Sequence, residues 1–256
     1  MRSRYPSTSN FSYSFGPGPV TPAIKALMIA NVAAFILTNY IAPELQTYLG
    51  MEPESVVERL WIWQPVTYMF LHGGIFHILF NMLALWMFGV ELERMWGSRF
   101  FTKYYFVTGL GAAATTLLLS LTPFALANQL YYALTIGASG AVYGVLLAYA
   151  MYFPNRPIYM YFLFPIPAKY FVIIIGAISL LSSMNGPGGG VAHTTHLGGL
   201  LAGYLYLKRG RTHLLSELKY RYLKWRINRM RRRFDVHPGG RADSGGRADG
   251  INRRVH

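Results

Sequence analysis

The chain contains no cysteine. Disulfides, a thiolate nucleophile and thiolate metal sites are therefore excluded together. Charge is scarce as well. Asp, Glu, Lys and Arg make up 13% of the 256 residues, about half of the roughly 25% usual in a soluble domain. The deficit is concentrated in long apolar stretches, the pattern of membrane spans. The opening segment, MRSRYPSTSNFSYSFGPGPVTP, has no early apolar core followed by a cleavage site. It reads as a short flexible lead, not as a signal peptide.

The charge that is present is unevenly placed. The net charge is +14, but most of it lies from Lys208 onward, in KRGR, KYRYLKWRINRMRRR and scattered later arginines. Without that tail the body is nearly neutral. Beside membrane spans, such a tail is expected to lie on anionic lipid headgroups as a cytoplasmic juxtamembrane segment. No nucleic-acid partner is expected.

A hydrocarbon core of ~30 Å takes roughly 20 apolar residues per helix. Six stretches meet this when polar residues facing a helical interior are tolerated: 24–41, 68–90, 100–121, 137–153, 170–184 and 193–207. The fold class predicted is an all-α polytopic membrane protein. Loop charges set its orientation. Arg2, Arg4 and Lys25 precede the first stretch, Arg94, Arg99 and Lys103 lie around the second connection, Arg156 and Lys169 flank the fourth, and the basic tail follows the sixth. The alternate loops are acidic or uncharged: 42–67 carries Glu44, Glu52, Glu54 and Glu58 against Arg59, and 122–136 and 185–192 carry none. The positive-inside rule then puts both termini in the cytoplasm, N-in/C-in.

Four segments follow: a cytoplasmic lead at 1–23, a six-span domain at 24–207, a basic stretch at 208–236 and a tail at 237–256. Within the basic stretch, Leu, Tyr, Trp and Ile alternate with Arg and Lys over 212–234, as in an interfacial helix. The tail repeats GGRAD and reads as disordered low-complexity sequence. Pro154, Pro157, Pro165 and Pro167 interrupt helix between the fourth and fifth stretches.

Polar groups inside a membrane helix are costly unless they are partnered or line a wet cavity, so each is a functional candidate. They are His72, His77 and Asn81 in the second stretch, Ser139 in the fourth, and His193 and His196 in the sixth. His77 and Asn81 are four apart and share a helix face. Ser139 is followed by Gly140 and Gly144, and His196 by Gly199 and Gly203. Small residues at this spacing let two helices approach closely. Spans four and six packed on these faces would bring a serine hydroxyl to a histidine ring, the pairing a nucleophilic serine needs. No Asp or Glu lies at that depth, so the inventory offers a dyad, not a triad. Ser139 also opens its helix, where free N–H groups and the helix dipole favour an oxyanion, with His77 and Asn81 as side-chain donors.

These residues resemble the signature of the rhomboid intramembrane serine proteases. His77 and Asn81 stand in HGGIFHILFN, Ser139 in GASG and His196 in AHTTHLGGLLAG; Tyr143 and the pair Glu93 and Gly97 in ELERMWG extend the match. The resemblance covers about 24–207 and implies a six-span rhomboid-like bundle. It implies Ser139 as nucleophile and His196 as general base and acid. It also implies an oxyanion hole of His77, Asn81 and the Ser139 N–H, with Tyr143 beside the histidine and Gly140, Gly199 and Gly203 in close packing. His193 is the competing base but lacks glycines at +3 and +7. His72 matches no catalytic position and is expected to be a structural hydrogen-bonder. Where the family often has Trp-Arg in its first loop, this chain has Trp63-Gln64, which keeps hydrogen bonding and loses the charge.

The activity implied is hydrolysis of peptide bonds in or near substrate transmembrane helices, with no metal or cofactor. The protein would be integral to a membrane, expected to be the bacterial inner membrane, with the site opening to the extracytoplasmic side. Three other readings compete: a catalytically dead helix-binding relative, a metal site on His193, His196 and His72 or His77, and a transporter. The intact Ser and His oppose the first. The absence of a carboxylate near the histidines opposes the second, and the absence of a coupling carboxylate or internal repeat opposes the third.

Overall fold

A computed structural model describes residues 16–123, 125–160, 164–184, 190–211 and 224. Contacts divide the chain into Met1–Arg211 and Thr212–His256. All the elements below belong to the first unit. In the second only Lys224 is described, so the predicted interfacial helix at 212–234, apart from that residue, and the low-complexity tail lie outside the described residues.

Helix α1 spans Pro22–Ile36 and continues as a π-helical turn, Leu37–Ile41. Proline is well placed at its start, where an N–H would have no helical partner. The next N–H groups are satisfied from a distance: the Glu93 carboxylate accepts from Ala23 N–H at 2.8 Å and Ile24 N–H at 3.0 Å. It also accepts from the hydroxyls of Thr21 and Ser98. A buried carboxylate thus caps the positive end of α1.

Residues 42–67 form three short helices, α2 (Leu45–Leu49), α3 (Pro53–Glu58) and α4 (Gln64–Thr67), leading to a 3₁₀ turn at Tyr68–Phe70. Gln64 is fully buried and organises this loop. Its Oε1 accepts from Glu52 N–H at 3.1 Å, and its Nε2 donates to the carbonyls of Thr47 and Tyr48, each at 3.4 Å. The side-chain amide supplies both a donor and an acceptor, so the hydrogen bonding expected of this position is present without a charge.

Helix α5 covers Ile75–Trp96 and α6 covers Ser98–Ser120. The apolar run predicts a second helix from 68, but Gly73 and Gly74 break it. Tyr68 and Met69 are buried in the preceding 3₁₀ turn and Leu71 just after it, before α5 begins. The helix instead extends past 90, because Glu93 has four donors to satisfy it. Gly97, at φ +78, turns the chain straight into α6, a conformation glycine adopts without the strain a side chain would meet.

After α7 (Ala125–Tyr131) come α8 (Ser139–Tyr152), α9 (Ala168–Met184) and α10 (Gly190–Arg211). Between α8 and α9 the structure departs from the predicted all-α class. Strands β1 (Pro157–Met160) and β2 (Phe164–Pro167) pair antiparallel, with Pro157 opposite Pro167 and Met160 opposite Phe164. Prolines at both outer ends are compatible with a two-stranded edge and not with a helix.

Helices α6, α8 and α10 pack against one another, with α5 on α8, α1 on α5 and α9 on α10. Small residues set the spacing. A Cβ on Gly111 would meet Ala202, one on Gly144 would lie 2.9 Å from the Thr108 hydroxyl, and one on Gly198 would lie 2.7 Å from Thr115 Cβ. The outer faces are apolar. Ile173, Ile178, Leu180 and Leu181 of α9 are all more than half exposed, a surface suited to lipid and not to water. Among the described residues, Pro22–Ile41 and Ile75–Trp96 are long and apolar enough to cross a membrane, and α8 and α9 are shorter apolar helices. Helices α6 and α10 have 23 and 22 residues, but Thr, Gly, Lys and His dilute their hydropathy.

Candidate active site

The site is assembled where the approach to α8 meets α5 and α10. Thr135 and Met51 exchange backbone hydrogen bonds at 2.8 and 2.9 Å, which ties this approach to the α2–α3 loop. Gly137 N–H then donates to the Tyr68 carbonyl at 2.9 Å. Gly137 has φ +125, and a Cβ there would lie 2.8 Å from His77 Nε2 and 3.6 Å from Ser139 Oγ. A left-handed glycine therefore lets the serine and His77 share one small space. Ser139 is the first residue of α8, so the N–H groups of the first turn have no intrahelical acceptor.

Helix α10 approaches this turn along its glycines. A Cβ on Gly199 would fall on the Gly140 carbonyl oxygen, and one on Gly203 would lie 3.3 Å from Gly144 Cα. Close approach sets the central distance: His196 Nε2 and Ser139 Oγ, 57 residues apart in sequence, are 2.8 Å apart. The imidazole ring stacks on Tyr143, with centroids 4.2 Å apart and an interplanar angle of 9°. His196 Nδ1 is buried and has no hydrogen-bond partner among the described residues, a carboxylate included.

His77 faces the same space from α5. Its Nδ1 accepts from Gly73 N–H at 3.4 Å. A nitrogen that accepts carries no proton, so in this tautomer Nε2, the atom beside Gly137, is the donor. Asn81 is buried one turn further on, and its Nδ2 donates to the His77 carbonyl at 2.9 Å, leaving one amide proton over. The structure thus brings Ser139, His196, His77, Tyr143, Gly140, Gly199 and Gly203 together, while the Asn81 amide is engaged within its own helix.

Two histidines sit at the margin. The His193 ring lies 5.8 Å from that of His196, edge to face, and its Nδ1 is unpartnered among the described residues. His72 was expected to be a structural hydrogen-bonder on the second span. It lies instead in the turn before α5, fully buried, with its ring 4.9 Å from His77 and, among the described residues, no hydrogen-bond partner within 3.5 Å for either ring nitrogen. Its backbone carbonyl makes the tether, accepting from Asn39 Nδ2 at 3.0 Å.

Other contributors escape sequence reasoning. Tyr104 donates its hydroxyl to the Gly144 carbonyl at 2.7 Å, and Tyr68 donates to the Gly109 carbonyl at 2.8 Å, pinning α6 to both sides of the site. Ser179 of α9 donates to the Tyr143 hydroxyl at 3.3 Å. The signal for the last was a buried serine in the apolar VIIIGAISLLSS.

A serine hydroxyl thus lies on a histidine nitrogen at a helix N-terminus, on glycine-packed helices. The rhomboid domain family matches residues 59–210, and the chain belongs to that family. It is therefore a helical protein integral to a membrane. Rhomboid protein 1, mitochondrial, from Saccharomyces cerevisiae is 33% identical over 193 residues, 72% of this chain and 51% of the relative. Rhomboid protease GluP of Bacillus subtilis is 32% identical over 157 residues, 60% of this chain and 27% of its own length. Rhomboid protease AarA of Providencia stuartii is 30% identical over 159 residues, 57% and 54% respectively. The chain spans about half the length of the yeast and Providencia relatives and about a quarter of the Bacillus one.

Proposed function

We propose that this chain is an intramembrane serine endopeptidase that cleaves peptide bonds in or near the transmembrane helices of other proteins. The observation that carries the reading is the 2.8 Å contact between Ser139 Oγ and His196 Nε2. Relatives named as proteases, GluP and AarA, support it. The helices α1, α5, α6, α8, α9 and α10 are the six spans, with both termini cytoplasmic and the serine toward the outer side. The basic segment after 207 lies on anionic lipid. Relatives from yeast mitochondria, a plant and bacteria do not favour the bacterial inner membrane over another membrane.

The chemistry proceeds in two halves. Ser139 Oγ attacks the scissile carbonyl carbon while its proton passes to His196 Nε2. The carbonyl oxygen becomes an oxyanion facing the Ser139 N–H, His77 Nε2–H and the spare amide proton of Asn81. The imidazolium then protonates the leaving amine, and an acyl-enzyme remains on Ser139. Water gives a proton to His196 and attacks the ester, and the proton returns to Ser139 as the carboxylic product leaves. No cofactor is invoked.

The test is cleavage of a single-span reporter in liposomes. Ser139→Ala and His196→Ala are each expected to lower turnover by roughly 10³-fold or more, with metal chelation leaving the wild type unchanged. If wild type and Ser139→Ala behave alike across a diverse substrate panel, the protease reading fails and helix binding replaces it.

A further inference from the structure

We propose that Ser179 of α9 is a positioning residue for His196, acting through Tyr143; this rests on the dyad reading above. In a triad, a carboxylate on the far ring nitrogen fixes the histidine. Here His196 Nδ1 has no hydrogen-bond partner among the described residues, so the ring is held by its Ser139 contact and by its neighbours. The closest ring is Tyr143, stacked nearly parallel at 4.2 Å. A stacked ring restrains tilt only as well as its own orientation is restrained, and the phenol of Tyr143 is held by Ser179 at 3.3 Å.

The rest of α9 shows that this bond is specific. A serine inside a helix usually bonds a carbonyl three or four residues back. Ser183, one turn later on the same helix, does so, donating to Leu180 O at 2.7 Å. Ser179 points across to α8 instead, and it is 1% exposed, whereas Ile178 and Leu180 on either side are more than half exposed. A buried hydroxyl in an apolar helix needs a partner, and the partner it has is the tyrosine that carries the histidine. The seating of α9 is thereby coupled to the orientation of the base. Ser179, Tyr143 and His196 lie on three different helices, so no local sequence rule links them.

The experiment compares Ser179→Ala, Ser179→Thr, Tyr143→Phe and the Ser179→Ala/Tyr143→Phe double variant, using the full chain in detergent micelles. Expected for Ser179→Ala is a fall in kcat of about three- to tenfold with KM and thermal midpoint unchanged. Ser179→Thr, which keeps the hydroxyl, restores kcat, and the double variant is no slower than the slower single. An unchanged kcat in Ser179→Ala, or losses that multiply in the double variant, overturns the proposal. A second readout does not need turnover: ring nitrogen and carbon NMR signals of His196 move in Ser179→Ala while those of His72 stay in place. If the wild type cleaves nothing but His196 signals move, the protease reading fails and the positioning role stands. If His196 signals do not move, the positioning role is wrong.

Discussion

Replacing Gly199 by alanine tests whether close approach of α10 to α8 builds the site. A Cβ there would fall on the Gly140 carbonyl oxygen and lie 2.8 Å from its carbon and 3.3 Å from Gly140 Cα. These are backbone atoms, so no side chain can swing aside to make room. Moving the carbonyl carbon from 2.8 Å to an ordinary separation of ~3.5–4.0 Å displaces the helices by about 1 Å. Ser139 precedes Gly140 by one residue, and His196 precedes Gly199 by less than one turn, so the opening falls on the dyad. Its 2.8 Å contact becomes about 3.8 Å, outside hydrogen-bonding range. A misplacement of this size costs on the order of 10²-fold in rate, while overpacking costs about 1–3 kcal/mol of stability. The assay is reporter cleavage in liposomes together with thermal unfolding in detergent. Gly176→Ala is the control, because its Cβ meets only Leu200 Cδ1 at an ordinary 3.4 Å. Cleavage by Gly199→Ala within about threefold of wild type would sink the argument that glycine packing sets the distance.

Three further substitutions probe the supports of the site. Gly137→Ala combines strain at φ +125 with a Cβ 2.8 Å from His77 Nε2; kcat is expected to fall at least ~10-fold, with about 1–3 kcal/mol of destabilisation, read by the same two assays. Glu93→Ala leaves two N–H groups of α1 and the Thr21 and Ser98 hydroxyls without their acceptor, at about 2–4 kcal/mol in chemical unfolding; Glu93→Gln, which keeps one acceptor oxygen and loses the charge, should fall between it and wild type. Gln64→Glu should destabilise more than Gln64→Ala, because a carboxylate would face the carbonyl oxygens of Thr47 and Tyr48. Faster proteolytic nicking within 42–67 would report it, and equal nicking in both variants would contradict the hydrogen-bond assignment.

Much of the helical framework was readable from hydropathy, since an apolar stretch of given length constrains its own conformation. The starts of α8 and α9 fall within two residues of the reading. The start of α5 does not, because Tyr68–Leu71 is an apolar run in front of Gly73 and Gly74, and burial in a turn looks the same in sequence as burial in a helix. The β1–β2 hairpin was missed for a related reason: prolines announce where helix stops and not what replaces it.

By itself, the sequence determined the family signature, the order of the apolar stretches and the faces bearing Gly140, Gly144, Gly199 and Gly203, because spacing along a helix is a local property. Only the tertiary structure decided which groups meet. It put His196 Nε2 on Ser139 Oγ, seated the His72 ring against His77 in the turn before α5, returned the Asn81 amide to its own helix, made Gln64 the centre of the first loop and joined Ser179 to Tyr143. Those outcomes depend on how separate helices are rotated and spaced against one another. That is settled by the fit of all their side chains together, so no single stretch of sequence contains it.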